Sequence, residues 1–205
     1  MELTGIDAIE DALALLSATL EARGVAPVEL VVIGGAAMNV LGIAVRPTKD
    51  VDVLGLADSS CGHDEVMLIK HKPLPALILE AAAAVAAALG LDPGWLNAGP
   101  ADLLDWGLPE GFGSRLTPRV YGTHLVVHFP SREDLVCFKV YAAADVGVGR
   151  HTEDLAALRP SSEELRRGAQ WAHSQDPSEG FRTMLLNLLQ YMGCDDAEEA
   201  FSNDD

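Results

Sequence analysis

Residues 30–54, LVVIGGAAMNVLGIAVRPTKDVDVL, constrain the fold of this chain more than any other stretch. An apolar run ending at Ile33 reads as a strand of a covered sheet, Gly34 and Gly35 interrupt it, and a short helix follows over 36–41. A basic connector with Arg46, Thr48 and Lys49 then leads to Asp50 and Asp52, two apart in a second apolar run. Side chains in a strand alternate faces, so this spacing predicts both carboxylates on one face and Val51 and Val53 on the other. Like charges placed side by side repel. A cation between them removes that cost, and hard oxygen ligands of this kind suit Mg²⁺, which is usually held by one or two carboxylates while substrate phosphates complete its shell.

The glycine pair supplies the complementary half of such a site. Without a Cβ, Gly34 and Gly35 let the backbone turn sharply and approach a ligand closely, and the helix behind them offers free N–H groups to phosphate oxygens. Arg46 and Lys49 lie where they can offset phosphate charge. The plainer reading is a tight strand-to-helix turn followed by solvated acids at a strand end. Gly-Gly or Asp-x-Asp alone would not separate the two readings; strand, Gly-Gly, helix, Arg-x-Thr and Asp-x-Asp in that order favours the metal site. The G-x-G-x-x-G spacing of a dinucleotide site is absent.

This order of motifs resembles the nucleotidyltransferase fold superfamily, and within it looks most like the bacterial AbiEii-like branch of toxin–antitoxin and abortive-infection systems. The resemblance implies an α/β (α+β) fold with a mixed sheet flanked by helices and a helical C-terminal extension. It implies transfer of a nucleoside monophosphate from an NTP, with Mg²⁺ (or Mn²⁺) on Asp50 and Asp52 and the nucleotide against Gly34, Gly35, Arg46, Thr48 and Lys49. A second block of that branch matches residues 134–158, where Lys139 and Asp154 stand at the motif positions. For these the resemblance implies catalytic roles: Lys139 toward phosphate, Asp154 toward the metal or as a base. The acceptor is a small molecule, a protein or an RNA end, and a cognate toxin or antitoxin is an implied partner. Many active members carry a third carboxylate on a later strand. The strand expected at 123–129 has His124 and His128 instead, which motivates an alternative: a noncatalytic nucleotide-binding or protein-interaction module on the same fold.

Composition bounds the rest. With 205 residues and 49% hydrophobic content, the chain can bury a sizeable core. The expected division is a core over 1–130, a helical subdomain over 131–192 and an acidic, frayed tail over 193–205. A net charge of −17 argues against a grip on duplex DNA, which needs a basic face. Three widely spaced cysteines, an odd number, argue against a disulfide framework and for a reducing compartment. Cys61, His63 and His71 match no strong zinc spacing. The alanine-rich run 77–89 is too short to span a bilayer, and no basic, then apolar leader opens the chain, so a soluble cytoplasmic protein without a membrane partner is expected.

Helical spacing predicts further helices over 6–22, with Thr4 as N-cap and Gly24 as stop, and over 77–89, 132–144, 153–158, 162–173 and 181–191. Strands are expected at 28–33, 50–54, 65–69, 120–121 and 125–129. The Gly-, Pro- and aromatic-rich segment 95–112 reads as a long loop with short helical turns, its Trp95, Trp106 and Phe112 serving as anchors rather than lining a base pocket.

Overall fold

A computed structural model describes residues 3–58, 65–194 and 196–201. The chain divides into two compact units, Met1–Ser131 and Arg132–Asp205.

The first unit is built on a mixed open sheet. Its strands are β1 (Val28–Ile33), β2 (Val51–Asp58), β3 (Met67–Ile69), β4 (Leu96–Asn97), β5 (Thr117–Tyr121) and β6 (Leu125–Phe129). The order is β3-β2-β1-β6-β5, with β4 joined to the same edge of β2 as β3, beside its first two residues. β1 is therefore central, antiparallel to β2 and parallel to β6. Its run Leu30, Val31, Val32 is fully buried, which explains why it reads as continuously apolar rather than alternating. β5 and β6 form a hairpin through Gly122, whose φ of 63° suits the turn.

Among the described residues this unit holds α1 (Gly5–Ala22), α2 (Gly34–Val40), α3 (Ala76–Leu89) and the single turn α4 (Leu103–Trp106). α1 buries Ile9, Leu13, Leu16 and Leu20, and α3, which packs on it, buries Ile78, Ala81, Ala82 and Val85. Each large aliphatic so buried contributes about 1.5–3 kcal/mol. α3 ends at Gly90 in the left-handed conformation, as helices commonly do.

The structure bears out the mixed α/β class and shifts several boundaries. α2 begins at Gly34, so the glycines are its first residues rather than a turn ahead of it. β2 begins at Val51, leaving Asp50 immediately before the strand. The loop expected over 95–112 contains β4 and a 3₁₀ turn, Gly99–Asp102, before α4. Trp95 and Phe112 are buried there, whereas Trp106 is half exposed. Among the described residues no helix is long and apolar enough to cross a membrane.

The second unit holds α5 (Arg132–Val146), α6 (Arg150–Leu158), α7 (Ser162–Gln175) and α8 (Glu179–Tyr191). Arg132 ties three of them together. Its guanidinium donates to the carbonyls of Leu158 and Arg159 at the end of α6 and pairs with Glu164 in the first turn of α7. Glu164 also closes a capping box with Ser161. The Arg132 guanidinium, aided by the Ser161 N–H, holds the Glu164 carboxyl at about 2, below its ordinary 4.5. A carboxyl depressed in the folded state stabilises the fold fully above its unfolded value, and that contribution fades as pH falls from about 4.5 toward 2. Glu164→Gln is expected to lower stability at pH 7 by about 1 kcal/mol, after allowance for solvent screening. Thermal melts across this range should show a shallower acid limb in the variant.

Within the acidic tail expected to fray from residue 193, the described residues include a packed turn. Ala197–Phe201 forms a 3₁₀ turn whose Ala197, Ala200 and Phe201 are buried. The Phe201 ring meets His173 edge-on at 5.2 Å, and the Arg182 guanidinium lies 5.3 Å from the ring centre. Three apolar residues among acids leave no periodic signal, yet they suffice to dock one turn.

Candidate functional site

The site is set by how β1 and β2 pair. Val31 faces Gly55, Val32 faces Val53 and Ile33 faces Asp52, so Leu54 is an extra, unpaired residue. Such a bulge rephases a strand and re-aims the side chains beyond it. It places Asp52 opposite the last residue of β1, beside the start of α2. Gly34, with φ +74°, occupies that corner, and a Cβ built on it would lie 2.6 Å from Asp52 Oδ2. Both the backbone conformation and the space demand glycine. Gly34→Ala is expected to cost about 1–3 kcal/mol through left-handed strain and overpacking, and to push the Asp52 carboxylate aside; a melting curve and a ligand titration on the same sample check both effects.

On the opposite side of Asp52 lies β4, parallel to β2 with Asp52 facing Asn97. The Asn97 amide Nδ2 donates to Asp52 Oδ1 at 3.3 Å. β4 is held there by Trp95, whose indole donates to the Ala82 carbonyl and whose own carbonyl accepts from the Val51 N–H. Asn97 escaped the sequence reading because a two-residue strand has no periodicity. The signal that existed was the aromatic anchor immediately before it.

The basic connector is fixed from both ends. Buried Asn39 donates to the carbonyls of Gly35 and Arg46 and accepts from the Arg46 N–H. Thr48 is buried, exchanges backbone hydrogen bonds with Leu3, and donates its hydroxyl to the Asp50 carbonyl at 3.2 Å, with Asp50 Oδ1 at 3.4 Å. Thr48 thus holds Asp50 in place. Arg46 is half-buried and Lys49 exposed. Arg119 caps α2 by donating to the Val40 carbonyl while pairing with Glu10.

Residues 8–148 match the family described as nucleotidyltransferase of unknown function (DUF6036). The chain belongs to this family. No curated protein and no solved structure matches the chain. The family's matched span contains Gly34, Gly35, the connector, Asp50, Asp52, Asn97 and Lys139; Asp154 lies beyond it.

For a nucleotidyltransferase-family chain, the donors at Asp52 fit a hard divalent ion. The Asp52 carboxylate sits against a glycine corner that a Cβ would fill, and Asp50 stands two residues before it, just ahead of β2 with its carboxylate beside the Thr48 hydroxyl. Among the described residues no group of three or more His, Cys, Asp or Glu is placed to hold a metal, so phosphate oxygens of a substrate would complete the shell. Of the Cys61, His63 and His71 grouping, Cys61 and His63 lie outside the described residues.

The structure pairs the remaining expected residues with each other. Within the second unit, Lys139 Nζ donates to Asp154 Oδ2 at 2.6 Å, the two side chains being 7% and 1% exposed. The strand β6 carries no carboxylate. His128 is buried on it, and its Nε2 lies 2.7 Å from Glu29 Oε2 on β1. That pairing gives His128 a packed role. His124 Nδ1 meets the Thr123 hydroxyl at the hairpin.

Two lysines strap the 3₁₀ turn behind Asn97 to the end of β3. Lys70 pairs with Asp102 and Asp105, and Lys72 pairs with Asp102 and donates to the Gly99 carbonyl. Lys70, then Lys72, hold the Asp102 carboxyl down at about 2, so Asp102 stays ionised throughout the neutral range.

Proposed function

We propose that this member of the nucleotidyltransferase family transfers a nucleoside monophosphate from an NTP to an acceptor, with Asp50 and Asp52 as the ligands of a catalytic Mg²⁺. The observation that carries the reading is the Asp52 carboxylate seated between Gly34, where no Cβ fits, and the Asn97 amide. Bound there, the cation would polarise the α-phosphate and offset the charge of the departing pyrophosphate. Gly34 and Gly35 let the phosphate chain approach the backbone. Arg46 and Lys49 offset its charge from the connector, and Thr48 keeps Asp50 in place. In-line attack needs the acceptor oxygen held opposite the leaving group. The charge of −17 favours a small molecule, a protein side chain or a short RNA end over an extended duplex.

The AbiEii-like placement rests on the motif resemblance alone, and it makes the acceptor a cellular target, with a cognate antitoxin as partner. A second reading, a nucleotide-binding module without turnover, is favoured by one observation: β6 offers His128, already engaged by Glu29, where a third carboxylate would stand. Thermal stability with each NTP, with and without Mg²⁺, combined with pyrophosphate detection, separates the readings. A Mg²⁺-dependent shift with pyrophosphate release supports transfer. A shift without pyrophosphate on any acceptor class supports the binding module, and no shift with any NTP refutes both.

A further inference from the structure

We propose that Asn97 is a positioning residue for the cation site: its amide restrains the Asp52 carboxylate in the orientation from which the carboxylate takes its metal, an inference that rests on the function proposed above. The orientation of the Asn97 amide is decided by its second contact. The Gly99 N–H can only donate, and it lies 2.8 Å from Asn97 Oδ1; Nδ2 must therefore be the atom turned toward Asp52. With Oδ1 engaged by Gly99, Asn97 acts through Asp52 rather than as a ligand itself.

The turn that presents this amide is itself constrained. A Cβ on Gly99 would fall 2.9 Å from Asn97 Oδ1, so glycine lets the turn close. The Gly99 carbonyl accepts from Lys72 at 3.2 Å, and Lys72 and Lys70 are paired with Asp102 and Asp105. A continuous chain of contacts thus runs from the surface ion pairs through the Gly99 peptide and the Asn97 amide to Asp52. The chemistry of the last link matters. A lysine at this position would neutralise Asp52 and compete with a cation, as Lys139 neutralises Asp154. A neutral amide restrains the carboxylate without itself neutralising it. Hydrogen-bonding partners of metal ligands typically change metal affinity 10–100-fold.

The test is Mn²⁺ binding, read by electron paramagnetic resonance of the free ion, on full-length wild type, Asp52→Asn, Asn97→Ala and Asn97→Ser. The serine hydroxyl can still accept the Gly99 N–H but is too short to reach Asp52, so it separates the turn from the restraint. The expected result is a Mn²⁺ dissociation constant raised about 10–100-fold in Asn97→Ser, with a melting temperature within a few degrees of wild type. Wild-type affinity in Asn97→Ser, or an affinity loss that only accompanies a large fall in melting temperature, overturns the positioning role while the cation site stands. Absence of any Mn²⁺ binding that Asp52→Asn abolishes overturns this inference, and the Mg²⁺-dependent NTP shift described above then decides the proposed function separately.

Discussion

Asp52→Asn is expected to abolish Mg²⁺-dependent nucleotide binding and transfer while leaving the fold intact. The replacement keeps the shape of the side chain, and its carbonyl oxygen can still accept from Asn97, so the contact that orients position 52 survives. What disappears is the charge that faces the cation, together with the repulsion between neighbouring acids. At a free ligand concentration about 100 times the dissociation constant, the wild type should gain about 2.7 kcal/mol of stability. For a chain of this length that corresponds to a rise of roughly 5–10 °C in melting temperature. The variant should gain none with any NTP, and its unliganded melting temperature should match or slightly exceed that of the wild type. A shift retained by Asp52→Asn would remove Asp52 from the site.

The second large effect belongs to the Lys139–Asp154 pair and has the opposite signature. Both side chains are almost wholly buried and their charges meet at 2.6 Å. Removing one partner leaves the other charge desolvated, which typically costs 3–5 kcal/mol, whereas replacing both with apolar groups of similar volume is often neutral. Asp154→Ala should therefore lower the melting temperature by about 6–20 °C, and Lys139→Met combined with Asp154→Leu should restore most of the loss. If the pair instead serves phosphate and metal, as the motif resemblance implies, the double variant will fold well and show no nucleotide shift. Melting the single and double variants with and without Mg²⁺ and NTP reads both outcomes from one set of samples. A cost below about 1 kcal/mol for Asp154→Ala would refute the buried-pair account.

The features legible in the sequence are those with a local cause. β1 and β6 have the bounds their apolar runs predict, and α1 starts and stops within a residue of its expected ends, because the periodicity of burial is written along the chain itself. The corner at Gly34 is likewise legible, since a left-handed residue pressed against the Asp52 carboxylate calls for glycine. Asn97 and Asn39 are not. Each looks like an ordinary loop or helix asparagine until the fold brings Asp52 or Arg46 within reach of its amide. The same holds for Glu29 beside His128, two residues far apart in the chain that meet only because β1 and β6 are parallel neighbours.

Lys139 shows the limit most clearly. Its place in a motif suggests a cation reaching for phosphate, and the packing of α5 against α6 brings that cation to a buried carboxylate. By itself, then, the sequence determined the mixed α/β class, the main elements and the glycine–carboxylate corner, because those follow from backbone sterics and the periodicity of burial. Tertiary structure alone decided how that corner is completed: the bulge at Leu54 that aims Asp52, the two-residue strand that delivers Asn97, and the pairing that engages Lys139. Hydrogen bonds and ion pairs depend on distance in space, and distance in space between residues remote in the chain exists only once the chain has folded.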